Sequence, residues 1–253
     1  MGQRTTGMPM ASGSGLVKPA SFDSILTASR AGLPKPALDE INTIEKELAA
    51  TSDSTKMAAN FLRIAHIWEI NKFSPAAAYF GAKAAKLENS EKKLNFAGQF
   101  FLELMHSDGN PEAMQLWEAN EAIACFKRSL EIDPGNDSTK VLLASTYIDG
   151  TGETMQGVQM LLALTREKPD YLPANLLLGR LAIKSGQFDK AIKRYEGILQ
   201  KYPDNSEALY FMAEAYKGKG DKQKAIELFE KCKKIVNKPD FTRDIDKYIN
   251  SFK

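Results

Sequence analysis

Histidine and cysteine are scarce in this chain, and none stands in a pattern that supports catalysis. The sequence contains two histidines, His66 and His106, and two cysteines, Cys125 and Cys232. Neither histidine has partners at the spacing that metal sites use, and two histidines leave little for general acid–base work. The cysteines fall among apolar neighbours and are expected to be buried. The sequence therefore predicts a protein that is not an enzyme and has no metal site or cofactor.

Two polar loops contain parts of known ligand-binding motifs. Asp149–Glu153 includes a Gly-x-Gly, but it follows a helical pattern and lacks the third glycine and the Lys-Ser/Thr of a phosphate-binding loop. His106–Glu112 offers oxygen ligands, but their spacing does not match a calcium loop. Both segments are interpreted as turns between helices, and no small-molecule substrate is indicated.

The charge balance argues against nucleic acid as a partner. Lys and Arg number 34 and Asp and Glu number 32, a formal net charge of +2, which creates no large field to attract a polyanion. Residues 1–20 are rich in Gly, Ser, Thr and Pro and have no apolar run long enough for a membrane span. We expect a disordered or vector-derived leader there, and a membrane association only through an anchor absent from this chain.

The most regular stretch is Leu172 to Pro239, where one helical pattern occurs twice. The two copies align without a gap, so that Ala225 follows Ala191 by 34 positions and Phe229 corresponds to Tyr195. A fixed period of this length is typical of stacked helical repeats. The sequence therefore predicts an all-α fold in which neighbouring repeats bury each other's apolar faces.

The same pairing of a small residue with a large apolar residue recurs upstream. Ala122 and Phe126 hold these positions in one copy, and Gly157 and Leu161 hold them in the next. One inserted residue between these two copies fits best in the turn at 149–152. We predict a repeat array over residues 55–239, with copies at about 57–90, 91–136, 137–171, 172–205 and 206–239.

These copies resemble the tetratricopeptide repeat, a helical hairpin with a period of about 34 residues. In the last copy, the residues that carry the resemblance are Leu209, Met212, Ala213, Tyr216, Ala225 and Phe229. The resemblance implies an α-solenoid of helix-turn-helix repeats that forms a right-handed superhelix. It also implies a concave groove, lined by the first helix of each hairpin, that binds an extended peptide or a partner helix.

Helical patterns also flank the array. Apolar residues recur at helical spacing in Ser21–Ala31 and again in Pro36–Ala50, which predicts a helical lead-in over residues 21–54. Beyond Pro239, Phe241–Phe252 shows the same periodicity. We predict a capping helix within 240–253, because the last repeat of an array has an apolar face and no neighbour.

The second copy is interrupted by extra residues within 107–120. Pro111 suits the first turn of a helix, so we predict one long second helix over Pro111–Leu130 whose extra turns protrude beyond the stack. Met114 and Trp117 lie on these turns. Trp117 is either a core aromatic residue or, with Met114, an exposed anchor for a partner, because tryptophan is enriched at binding hot spots.

The resemblance places groove positions on the first helices of the last three copies. These positions are Val141, Ser145, Ile148, Leu176, Arg180, Ile183, Tyr210, Glu214 and Lys217. Members of the family that bind a peptide's C-terminal carboxylate use Lys, Asn and Arg residues at such places. Here Arg180 is of the matching type, with Lys184 or Lys217 as a second cation. Val141 and Leu176 stand where polar residues are expected, which argues against tail binding.

Two functions from different classes remain open at this point. The first is a non-catalytic scaffold that binds a partner protein or peptide, and the alternative is a co-chaperone or assembly factor that recognises peptide C-terminal tails. Met155–Val158 and Ile245–Ile249 resemble parts of bacterial envelope tetratricopeptide proteins without their N-terminal anchor. That resemblance implies a periplasmic or envelope location if an anchor was removed, and a cytoplasmic location otherwise.

Overall fold

The computed structural model describes residues 17–252, which form α-helices and, in this range, no β-strand. The predicted leader at residues 1–20 lies largely outside this range. The helices are α1 (Phe22–Arg30), α2 (Lys35–Ala49), α3 (Ser54–Ile70), α4 (Ser74–Leu87), α5 (Glu91–Met105), α6 (Glu112–Ile132), α7 (Asp137–Ser145), α8 (Thr154–Glu167), α9 (Leu172–Lys184), α10 (Phe188–Lys201), α11 (Ser206–Lys219), α12 (Lys222–Val236) and α13 (Pro239–Phe252). Helices α3 to α12 form five hairpins in sequence, so the predicted all-α solenoid is confirmed.

Most of the first helices begin at a side chain that caps them. Asp53, Ser90, Asn136 and Asn205 each accept a hydrogen bond from a backbone N–H in the first turn of α3, α5, α7 and α11. Helix α9 has no such cap, but Pro173 lies in its first turn, where a missing N–H is no loss. These local signals fix where each hairpin starts and therefore which residues face the next hairpin.

Small residues set the spacing of the two helices within a hairpin. A Cβ atom on Gly98 of α5 would lie 2.5 Å from Cε1 of Phe126 on α6. A Cβ atom on Gly157 of α8 would lie 2.4 Å from the carbonyl oxygen of Ala144 on α7. Apolar clusters then follow one another along the array, each shared by neighbouring helices. The core of the protein is therefore a series of interfaces between helices, as expected for an α-solenoid.

The third hairpin departs from regular α-helical geometry. Helix α7 continues into a π-helical turn at Thr146–Gly150. A π turn holds one more residue than an α turn, so it takes up an inserted residue without breaking the helix. The insertion was expected in the turn at 149–152, and the structure places the irregularity at and just before that turn.

The extra turns of α6 do not protrude, in contrast to the sequence-based prediction. The backbone N–H of Ala20 donates to the carbonyl oxygen of Ala113 at 2.8 Å. The ring of Phe22 stacks on Trp117, with centroids 5.5 Å apart, and on Tyr79 of α4. The lead-in helix α1 therefore covers the added turns of α6 and joins them to the first hairpin.

Candidate protein-binding groove

Three first helices, α7, α9 and α11, line a continuous recess. One part, of about 350 Å³, is lined by Val141, Ser145, Leu176 and Arg180, among others. A second part, of about 300 Å³, shares Arg180 with the first and extends to Ile183 and Glu214. The structure thus brings together these six of the groove residues that the resemblance implied. We call the recess that they line the groove.

Ile148 does not belong to the groove. The Ile148 side chain is buried, and a Cβ atom on Gly157 would lie 2.6 Å from its Cγ1 atom. Ile148 therefore packs directly against α8. The π-helical turn that contains it changes the register at the end of the helix, so the residue departs from the ordinary repeat position. The next residue, Asp149, lines both parts of the groove instead.

The capping helix α13 occupies the C-terminal end of the groove. The hydroxyl of Tyr248 donates to Oε2 of Glu214 at 3.0 Å, and Lys217 donates to the same hydroxyl oxygen. The Lys217 ammonium also lies 4.2 Å from the centroid of the Tyr248 ring. Tyr210 packs edge-on against Phe229, with centroids 5.4 Å apart. Lys217, expected as a partner-binding residue, is therefore engaged within the protein, because α13 packs where the next repeat would begin. Tyr210, also expected there, packs on α12 and lines a further recess with Phe211 and Phe241.

Exposed apolar side chains continue the series of first helices towards the N-terminus. Leu62 and Ile70 on α3 are 42% and 65% exposed, and Phe96 on α5 is 73% exposed. Leu62 holds the same repeat position as Val141 and Leu176. Carrying the position of Leu176 to the first copy would have found Leu62. Phe96 and Ile70 stand at the places of Leu177 and Lys184, which line the recess but were not among the expected groove residues.

The groove carries both charges in its central part. The guanidinium carbon of Arg180 lies 5.6 Å from the centroid of the Phe211 ring, and among residues 17–252 Arg180 forms no ion pair. Three carboxylates, those of Asp149, Glu207 and Glu214, line the same recesses. Arg180 can therefore pair with an anionic group of a partner, but the three nearby carboxylates weaken its attraction for anions.

Trp117 is a core residue and not an exposed anchor. Its side chain is 6% exposed and packs edge-on against Phe101, with centroids 5.7 Å apart. Met114 is partly buried in the same apolar cluster. The expected partner-binding site on the insertion is therefore wrong in this form, because α1 supplies the covering surface that a partner was expected to supply.

The remaining candidates for chemistry stay isolated from one another. His66 is exposed with Nδ1 3.5 Å from a Glu69 carboxylate oxygen, and His106 is exposed at the end of α5. Burial raises the pKa of the Cys125 thiol to about 12, so this side chain is a poor nucleophile. Over residues 17–252, no group of three or more His, Cys, Asp or Glu residues could hold a metal ion, and no helix could span a membrane.

Comparison with known proteins agrees with this architecture. The tetratricopeptide-repeat family profile matches residues 182–240. PilW, a widely conserved type IV pilus biogenesis factor, is 17% identical; the alignment covers 89% of this chain and 99% of that chain, with a TM-score of 0.54. MamA from Desulfovibrio magneticus RS-1, residue 41 to the end, is 17% identical over 73% of this chain and 97% of that one, with a TM-score of 0.53. Another MamA structure is 22% identical over 72% and 93%, with a TM-score of 0.50.

Together these findings define the class of protein. The chain has the tetratricopeptide-repeat fold, an α-solenoid whose first helices line a groove. The segment 182–240, which contains the last of the duplicated copies, belongs to the tetratricopeptide-repeat family.

Proposed function

We propose that the protein is a non-catalytic scaffold that binds an extended segment of a partner protein along the groove. The observation that carries this proposal is the exposure of large apolar side chains on consecutive first helices. Phe96 and Ile70 are more than half exposed on α5 and α3, and Leu176 lies further along in the recess of the groove. Exposed apolar residues arranged in a row mark protein-binding surfaces.

The polarity of the groove favours a segment with both apolar and charged residues. Apolar side chains of the partner are expected over Leu62 and Phe96, because both side chains are exposed. An acidic or carbonyl oxygen of the partner suits Arg180, and a basic group suits the carboxylates of Asp149 and Glu207. The binding of such a segment by side chains on a preformed surface requires no change in the fold.

Recognition of a C-terminal tail is the less favoured alternative. It needs several cations around the terminal carboxylate, and Arg180 shares its recess with Asp149 and Glu214. Of the two possible second cations, Lys217 is engaged by Tyr248, which leaves Lys184 as the one further cation, among residues 17–252, that lines this recess. PilW shares the fold and is a pilus biogenesis factor, so an assembly role through protein contacts is compatible with the same groove.

The experiment is a selection of peptides from a random phage-displayed library on the full chain, followed by calorimetric titration of the peptides obtained. Leu176→Glu and Phe96→Ser are expected to weaken binding at least tenfold, because the first replaces an apolar residue of the groove and the second removes the exposed apolar side chain of α5. Lys46→Gln, an exposed residue on α2, is the control and leaves binding unchanged. Peptides whose affinity is the same for all three variants would show that the groove is not the binding surface.

A further inference from the structure

A second recessed surface lies on the side of the second helices α8 and α10. One part, of about 430 Å³, is mainly apolar and is lined by Met155, Val158 and Leu162 of α8, among others. The other part, of about 390 Å³, is lined by four cations of α10. Lys190 and Arg194 line both parts, so the two form one surface, which we call the α8–α10 trough.

The basic part of the trough is built around a buried amide. Asn175 of α9 is 9% exposed, and its Nδ2 donates to the carbonyl oxygens of Pro169 and Tyr171 at 2.7 and 3.1 Å. This arrangement leaves Oδ1 of Asn175 as an acceptor for Nη1 of Arg194 at 2.8 Å. The guanidinium group is therefore held in one orientation by a residue that is itself fixed.

The fold does not require this polar pair. In the next repeat, 34 residues later, Leu209 and Leu228 stand at the places of Asn175 and Arg194. Leu209 is 1% exposed and Leu228 is partly buried, so apolar side chains fill the same two positions there. Asn175 and Arg194 bury less apolar surface than two leucines would at these positions. In return, they provide a cation with a fixed orientation.

The positive charge of the trough is only partly compensated. Arg194 forms no ion pair with any residue in 17–252, and its partial burial lowers the pKa of its guanidinium group. Lys193 likewise forms no ion pair or hydrogen bond in that range. Asp170 is the one carboxylate among the lining residues of the basic part, and it lies 3.2 Å from the ammonium of Lys201. A ligand with carboxylates would supply the missing negative charge.

The apolar part has an exposed anchor next to these cations. Met155 is 69% exposed at the start of α8, and methionine adapts well to the shapes of different partners. From this arrangement we propose that the α8–α10 trough is a second protein-docking site, separate from the groove, for an acidic segment with interspersed apolar residues. Its carboxylates pair with Arg194 and Lys193, and its apolar side chains cover Met155 and Val158.

The probe is a synthetic peptide of about 12 residues that alternates Glu and Leu, titrated calorimetrically into the full chain at low salt and at high salt. Binding is expected at low salt and is at least tenfold weaker at high salt. A matched peptide with Lys in place of Glu is expected not to bind, and one with Ser in place of Leu is expected to bind at least tenfold more weakly.

The decisive variant replaces Asn175 and Arg194 together by leucine, the pair that the next repeat uses. This double variant is expected to melt at or above the temperature of the unchanged protein and to lose at least tenfold in affinity for the Glu-Leu peptide. Lys193→Gln is expected to weaken binding as well, without touching the core. Lys46→Gln on α2 is the control and leaves the affinity unchanged.

Four results would overturn the proposal. They are no binding of the Glu-Leu peptide, equal binding by the leucine double variant, binding that is lost with Arg180→Gln but kept with the double variant, and equal binding of a DNA oligonucleotide. The third result would place the peptide in the groove, and the fourth would indicate a general polyanion surface. Loss of binding in the double variant with Arg180→Gln unchanged supports the trough.

Discussion

The ring of Tyr195 occupies the space that a side chain at residue 179 would need. A Cβ atom on Gly179 would lie 2.5 Å from Cζ of Tyr195 and 2.6 Å from its hydroxyl oxygen. The tyrosine is fully buried, so its ring has no free volume into which to move. This contact sets the distance between α9 and α10, and Gly98 and Phe126 make the equivalent contact two hairpins earlier.

Gly179→Ala is therefore expected to destabilise the protein, although alanine is the better helix former. The added methyl group overpacks a closed interface, which costs about 1–3 kcal/mol. The measurement is the free energy of unfolding in urea. The control is Gly197→Ala on α10, where a Cβ atom would meet nothing within 4 Å. That change is expected to stabilise by about 0.5–1 kcal/mol, and equal effects of the two substitutions would refute the packing described here.

Tyr248→Phe is expected to loosen the capping helix. The substitution removes the hydroxyl that donates to Glu214 and accepts from Lys217, while the ring contacts with Phe229 and Phe252 remain. A hydrogen bond to a charged group contributes about 1.5–3 kcal/mol, less where solvent reaches it. Hydrogen exchange in α13 is expected to be faster in the variant than in the unchanged protein, while exchange in α9 stays the same. Tyr202→Phe, at the residue that follows α10, is the control.

The same tyrosine predicts a pH dependence. Burial, together with the hydrogen bond to the Glu214 carboxylate, raises the pKa of Tyr248 from 10.0 to about 12. Because the folded-state value is raised, the stabilising contribution is complete below pH 10 and is lost as the pH rises to about 12. Between these values the melting temperature of Tyr248→Phe is expected to fall less steeply than that of the unchanged protein. Parallel slopes would contradict this account.

Phe22→Ala is expected to uncover Trp117. The centroid of the Phe22 ring lies 3.6 Å from that of Tyr79 and 5.5 Å from that of Trp117, and the ring stacks on both. In a Trp68→Phe background, which leaves one tryptophan, acrylamide quenching of fluorescence is expected to increase. Ser24→Ala, on the exposed side of α1, is the matched control and leaves quenching unchanged.

Glu118→Gln is expected to stabilise the protein at neutral pH. Glu118 is 2% exposed, and its Oε2 accepts a hydrogen bond from Asn110 at 2.5 Å. Burial raises the pKa of this carboxyl group, and the Asn110 hydrogen bond opposes the shift only in part. Glutamine keeps the shape and the acceptor but removes the buried charge.

The size of this stabilisation depends on pH. Because the folded-state pKa of Glu118 is raised, its contribution to stability is complete below the ordinary value of 4.5 and is lost as the pH rises through the folded value. The melting temperature of Glu118→Gln is expected to exceed that of the unchanged protein by a few degrees at pH 7 and to converge with it in acid. Glu103→Gln, an exposed change on α5, should show no such pH dependence.

Part of the candidate site could be predicted because the repeat transfers positions from one copy to the next. Leu176 and Arg180 were assigned to the groove from the resemblance to the tetratricopeptide repeat, and both line the recess between α7, α9 and α11. The same transfer failed at Ile148, since the π-helical turn changes the register there. It also did not anticipate that Tyr248 on the capping helix would engage Lys217.

The sequence by itself determined the all-α repeat fold, because small and aromatic residues at a fixed period permit only stacked hairpins. Tertiary structure decided which surfaces remain available. Phe22 packs on Trp117 although the two residues are far apart in the chain, so no local sequence pattern reveals this contact. Asn175 orients Arg194 through a hydrogen bond between two helices. A period predicts contacts that every repeat makes, whereas these contacts are made once, and their energies depend on the folded chain.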